Sequence, residues 1–124
     1  KDNIMPKLIK QATVIKPVGN KPKIIKEFVG AINLNTTALS IAHMSSPRGW
    51  KEPGQCPDFD EYTLVLKGEL MVESKNKKLK VLKGEAVITY AKEWIRYSTP
   101  NKDTEYIAVC VPAFSNETVH RDEL

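Results

Sequence analysis

Apolar residues along this chain come in short runs, and no helical stripe with a 3.6-residue period survives the breaks between them. Over the first 37 residues the runs are Leu8-Ile9, Val14-Ile15, Ile24-Ile25 and Phe28-Val29. Pro6, Pro17, Gly19 and Pro22 interrupt them, which predicts short edge strands and loops. From residue 38 the rhythm becomes regular. Ala38 to Met44 reads as a strand, followed by a turn over Ser45-Ser46-Pro47-Arg48-Gly49 and a Pro- and Gly-punctuated loop from Lys51 to Asp60. Tyr62 to Leu66 is apolar and β-branched, and the tight Lys67-Gly68-Glu69 turn returns the chain through Leu70 to Glu73. Further strands are expected at Leu79–Leu82, Ala86–Tyr90, Trp94–Ser98 and Tyr106–Val111. Strands of four to six residues with turns at this frequency predict an all-β sandwich or barrel. The polar tail from Ala113 to Leu124 is expected to wrap the barrel or fray.

Length changes this picture only by limiting it: 124 residues suit one domain. No apolar run approaches the roughly 20 residues that cross a bilayer, so no membrane partner is expected. The net charge of +4 raises the question of nucleic acid. The one basic cluster, Lys75, Lys77, Lys78, Lys80 and Lys83, straddles a hairpin turn without interleaved aromatics and reads as a solvated tip, so no nucleic-acid partner is expected. Cys56 and Cys110 do not form a disulfide framework, and reduced thiols in the cytoplasm are the expectation. Arg121-Asp122-Glu123-Leu124 resembles an endoplasmic-reticulum retention signal, but no secretory entry sequence accompanies it and the match reads as accidental. Met5 is a candidate native start, which would leave residues 1–4 as an addition.

Four positions carry the strongest signal. Gly49, Glu61 and Gly68 are separated by 11 and 6 residues, and Gly84 follows one hairpin later. This spacing resembles the cupin family, whose first motif is G-x5-H-x-H-x3-E-x6-G and whose second is G-x5-P-x-G-x2-H-x3-N. The resemblance covers about residues 38–112 and implies an all-β fold, the double-stranded β-helix or jelly-roll barrel, as a single domain over residues 1–124. Residues 1–37 would add N-terminal strands and 113–124 a tail. Within the cupins, Phe59-Asp60-Glu61-Tyr62, Glu93 to Pro100 and Tyr106 to Phe114 look like the cupins of ethanolamine-utilisation operons, which also lack the usual histidine set.

The departures from the motif bear on function. The first motif's two histidines fall on Gln55 and Pro57, and the second motif's histidine falls on Ile95. Its Pro and Gly fall on Tyr90 and Lys92. Of the three histidines and one glutamate that usually hold a cupin metal, only Glu61 remains. Isoleucine offers a metal nothing, and Gln55 with Glu61 makes a poor oxygen pair for a transition metal. No metal and no cofactor are therefore expected. A metal held by Glu61 with Gln55, Cys56 or His43 is the rival reading.

Strand alternation sends Glu61, Thr63 and Val65 into the barrel and Tyr62, Leu64 and Leu66 to the outer face. That outer row is apolar, and a homodimer would cover it. Ile95, Tyr97 and Thr99 share the inward face of a later strand, so Gln55 and Tyr97 flank Glu61. A carboxyl in a barrel mouth is partly desolvated, which raises its pKa and suits it to general acid–base work; its bland role is to cap backbone N–H groups. Tyr97 and His43 are its candidate catalytic partners, against roles as packing and as a satisfied structural histidine. Gln55, Trp50, Arg48, Tyr90, Thr63 and Cys56 are candidates for ligand binding. Trp50 reads equally as a lid, Tyr90 as packing, Arg48 as a solvated turn residue and Cys56 as an inert loop thiol. Arg96 is assigned a surface or interface ion pair. The expected function is the binding of a small polar metabolite, with isomerisation, epimerisation or cleavage by Glu61 as the catalytic version and a non-catalytic sensor as the alternative.

Overall fold

The computed structural model describes residues 6–123; the candidate start at Met5 and the final Leu124 lie outside them. Ten strands are present among these residues: β1 (Thr13–Ile15), β2 (Ile24–Val29), β3 (Ser40–Ser46), β4 (Trp50–Lys51), β5 (Asp60–Lys67), β6 (Glu69–Ser74), β7 (Lys78–Leu82), β8 (Ala86–Thr89), β9 (Ile95–Thr99) and β10 (Thr104–Val111). They form a six-stranded sheet in the order β1-β2-β3-β10-β5-β8 and a four-stranded sheet in the order β4-β9-β6-β7. Every pairing is antiparallel. Strands distant in sequence, such as β3 and β10 or β5 and β8, lie side by side and pair across long connections, the pattern of a jelly roll. No helix among the described residues is long and apolar enough to cross a membrane.

The alternation expected of β5 is observed. Glu61, Thr63 and Val65 are buried, while Tyr62, Leu64 and Leu66 are 42, 44 and 42% exposed. On β9, Ile95, Tyr97 and Thr99 are buried and Arg96 lies outward, where its guanidinium holds Glu73 at 2.9 Å. Between the sheets Trp50, Val65, Leu70, Val72, Val81, Val87, Ile95, Tyr97 and Tyr106 form the main core. A smaller cluster of Phe59, Cys110 and Val119, with Phe114 edge-on to Phe59, closes one end.

Two local expectations need correction. The strand placed at Ala38–Met44 runs from Ser40 to Ser46, because Ser45 and Ser46 pair with Glu105 and Thr104 of β10 instead of entering the turn. The loop placed at Lys51–Asp60 opens with a short strand, since Trp50 and Lys51 pair with Thr99 and Ser98. Of the two outcomes expected for the tail, wrapping is the one observed. The Asp58 amide donates to the Thr118 carbonyl, the Cys56 amide to the His120 carbonyl and the Asp122 amide to the Gly54 carbonyl. This stitching brings Arg121 against the barrel, where it bridges to Gln55.

Candidate functional site

The two sheets, the β4–β5 loop and the C-terminal tail enclose a cavity whose space for the centres of water-sized molecules is about 70 Å³. That is room for a few waters or one small molecule. Its walls are largely apolar, with Ala42 and Met44 from β3 and Ala108 from β10, and a small set of polar groups projects into it. Such a lining is typical of small-molecule sites.

Glu61 is the centre of that set. It is buried on β5, and the Tyr97 hydroxyl of β9 donates to its Oε1 at 3.2 Å. Thr89 Oγ1 lies 2.8 Å from the same hydroxyl. Burial pushes the Glu61 carboxyl up to about 7, against the opposing pull of Lys23 and of the Tyr97 hydrogen bond. Burial together with the Glu61 charge also pushes Tyr97 well above the usual phenol range, so Tyr97 stays a neutral donor at physiological pH.

A second carboxyl faces the same space. Glu52 follows β4 and accepts from the Tyr97 amide at 3.4 Å. Burial raises it to about 7; Lys23 lowers it and Glu61 raises it further. Two interacting carboxyls of this kind titrate as a pair, and near neutrality the pair holds both a proton donor and a proton acceptor. Lys23, just before β2, supplies the cation. Its Nζ donates to the Tyr106 hydroxyl at 2.8 Å and sits 3.9 Å above the Trp50 ring. The Trp50 indole N–H is tied to the Val18 carbonyl at 3.1 Å. Glu27 of β2 also lines the cavity, but its Oε2 accepts from the Ile32 and Asn33 amides at 3.0 and 2.8 Å and serves the following loop.

Of the residues singled out in the sequence, Glu61, Tyr97, Gln55 and Trp50 meet at this cavity. The other site candidates, His43, Arg48, Tyr90, Cys56 and Thr63, do not line it. His43 lies between the inward Ala42 and Met44 on β3, so alternation turns it outward, where Nε2 is 3.3 Å from Glu105 Oε1. Arg48 is an exposed turn residue whose amide donates to Asp103 at 2.8 Å. Tyr90 lies beyond the end of β8 and is 56% exposed. Cys56 neighbours Gln55 in sequence, yet its Sγ donates outside the cavity to the Lys92 carbonyl at 3.3 Å. Thr63 is buried on β5, and its hydroxyl has no partner among the described residues. Lys23, Glu52, Tyr106 and Arg121 line the cavity and were missed. The parity of β10, with Tyr106, Ala108 and Cys110 on one face, was a usable signal for Tyr106. Charged residues in loops or tails read as solvated, so nothing marked the other three.

The metal ligands that a cupin would bring do not fit here. The backbone of both motifs is in place, since Gln55 and Ile95 exchange amide–carbonyl bonds of 2.9 Å in each direction. The side chains at the four ligand positions are an amide, a proline ring, the Glu61 carboxyl and an isoleucine only 3% exposed. Among the described residues no three His, Cys, Asp or Glu side chains converge to hold an ion. Lys92, at the second motif's glycine position, has φ of +72°, the left-handed backbone that a glycine there adopts freely.

Solved structures with the same course of chain decide the fold. The polyketide cyclase RemF from Streptomyces resistomycificus superposes with a TM-score of 0.73 at 14% identity, over 98% of this chain and 87% of its own. A putative ethanolamine utilization protein Q from Salmonella typhimurium gives 0.64 at 20% identity, over 74 and 71% of the two chains. A predicted oxalate decarboxylase from Thermotoga maritima gives 0.69 at 19% identity, over 87 and 99%. All three are cupin-fold proteins. The chain has the cupin fold. No family model matches the sequence. A curated relative, the endoribonuclease YbeY of Myxococcus xanthus, is 37% identical over 101 residues, which are 81% of this chain but only 34% of that protein. The cupin barrel described here thus spans about a third of the curated relative's length.

Proposed function

We propose that this cupin binds a small polar metabolite in its barrel and moves a proton on it with Glu61, without a metal. The observation that carries the reading is the Glu61–Tyr97 pair on the cavity wall, a carboxyl raised to about 7 and held by a neutral phenol. A base poised near the operating pH is the most effective one. In the reaction the Glu61 carboxylate takes a proton from carbon, and the bonding pair moves toward an adjacent carbonyl. Return of the proton to another face or a neighbouring carbon gives epimerisation or isomerisation, and loss of a β-substituent gives cleavage. The narrow, carboxyl-lined interior does not suit an RNA strand, so the nuclease name of the curated relative is not carried to this barrel. The outer row of Tyr62, Leu64, Leu66 and Ile88 is apolar and exposed, which supports a homodimer through that face. Free Cys56 and Cys110 suit a reducing compartment, and the cytoplasm is the proposed location.

Incubation with a panel of hydroxy acids, oxo acids and sugars in heavy water, read by proton NMR, tests the chemistry. Exchange or conversion of one compound that is lost in Glu61→Gln, with binding retained, supports the proposal. Binding without any exchange at saturation returns the protein to the non-catalytic sensor reading.

A further inference from the structure

We propose that Lys23 and Arg121 make the cavity a seat for a small carboxylate anion, so that the metabolite taken by this barrel is a carboxylic acid and not a neutral sugar or polyol. The inference rests on the reading of the cavity as a ligand site and adds the ligand's class. Among the described residues Lys23 Nζ has one hydrogen-bond partner, the Tyr106 hydroxyl at 2.8 Å, which leaves donors over for a guest. The indole face beneath it, at 3.9 Å, and Ser46 Oγ, 3.1 Å from the Tyr106 hydroxyl, hold this arrangement in place. Arg121 reaches the same lining from the tail, and its buried Nε has no partner among the described residues. A buried orphan donor is costly, and an anion in the cavity would satisfy it.

The charges facing this space come from several elements: Lys23 and Glu27 at β2, Glu52 after β4, Glu61 on β5 and Arg121 in the tail, with neutral Tyr97, Tyr106 and Cys110 on β9 and β10. With Glu52 and Glu61 protonated the set carries one net positive charge, and with both ionised one net negative charge. Both carboxyls are raised to about 7, so the seat accepts an anion on the acid side of neutrality and rejects it on the alkaline side. Binding at neutral pH therefore draws in a proton, which leaves one carboxyl as an acid beside the guest.

Lactate and lactamide, alike in shape but not in charge, separate the possibilities. The chain has two tryptophans, and each indole N–H gives one nitrogen–proton NMR signal. Trp50 reports on the cavity, and Trp94, bonded to Asp122 at 3.0 Å, is the reference outside it. Lactate is expected to move the Trp50 signal and not that of Trp94, to bind about tenfold more tightly at pH 6 than at pH 8, and to take up a proton in calorimetry. Lys23→Met and Arg121→Gln should each weaken it by roughly tenfold or more. The proton-uptake measurement needs no variant, so a misfolded Lys23→Met leaves the test intact. If lactamide binds as well as lactate, without proton uptake, the carboxylate seat is refuted while the cavity stands as a ligand site. If neither moves the Trp50 signal at saturating millimolar concentration, the seat is refuted and the cavity loses its support as a site for small polar ligands.

Discussion

Replacing Glu61 by glutamine should stabilise the protein at alkaline pH and leave it nearly unchanged near pH 5. The carboxyl moves from an ordinary 4.5 to about 7 on folding, mainly because burial disfavours its charged form. Between these two values the folded protein keeps a proton that the unfolded chain has released. The stabilisation is thus fully present below about pH 4.5 and is lost as pH rises through 7. At roughly 1.4 kcal/mol for each pH unit of difference, an ionised Glu61 costs the folded state up to about 3 kcal/mol. Glutamine keeps the shape, carries no charge and still accepts from Tyr97, so it removes that cost where the cost exists. Asp58, Glu69 and Glu73 respond in the opposite sense. Hydrogen bonds from Lys92 and His120, from Asn101 and from Arg96 hold them below the usual carboxylate range, so their contributions fade only in stronger acid. Urea denaturation followed by tryptophan fluorescence at pH 5 and pH 8 checks the prediction. Wild type should lose stability between the two conditions, and the variant should exceed it at pH 8 by up to about 3 kcal/mol. An equal difference at both pH values would refute the buried-charge argument.

Tyr97→Phe removes the donor to Glu61, and because that bond lowers the carboxyl's pKa, the pKa should rise further. Carboxyl carbon NMR reads the shift, and turnover of any substrate found should fall at least tenfold, about the 1–3 kcal/mol of one buried hydrogen bond. Gly30→Ala would set a Cβ 2.6 Å from the Glu27 carboxyl carbon and disturb its bonds to Ile32 and Asn33. A loss of about 1–3 kcal/mol in denaturant titration is expected, with unchanged stability as the contrary result. Leu64→Glu on the outer face of β5 should convert the proposed dimer to a monomer in sedimentation, and a monomeric wild type would defeat that part of the proposal.

The part of this protein legible in its sequence is the part written in period two and in turn spacing. Glu61, Thr63 and Val65 alternate with Tyr62, Leu64 and Leu66 over a whole strand, and the structure keeps that division. Gly49, Glu61 and Gly68 fix the register of the first hairpin without reference to any other part of the chain. His43 went wrong for a local reason. A strand assignment over Ala38–Met44 fixes the element but not which face is buried, and the flanking Ala42 and Met44 supply the inward side chains. Lys23 was missed for a non-local one. Its partner Tyr106 is 83 residues away, so only the assembled sheet distinguishes it from the chain's many solvated lysines. Arg121 needed the tail to be stitched to the β4–β5 loop first.

These non-local charges alter what the absence of histidines at the ligand positions means. A carboxyl standing alone in an apolar barrel would be expected to take a proton and become an inert acid. Glu61 does not stand alone. Lys23 opposes the effect of burial on both Glu61 and Glu52, and Arg121 adds to it at Glu52. The result is a pair of carboxyls raised to about 7, near enough to neutrality for proton exchange to be cheap in either direction. An ammonium held by a phenol and an indole thus supplies positive charge at the cavity where a histidine-bearing cupin would place a metal. Because that charge is a side chain, its removal by Lys23→Met should raise the pKa of Glu61 and Glu52 together, whereas Gln55→Ala should leave both where they are.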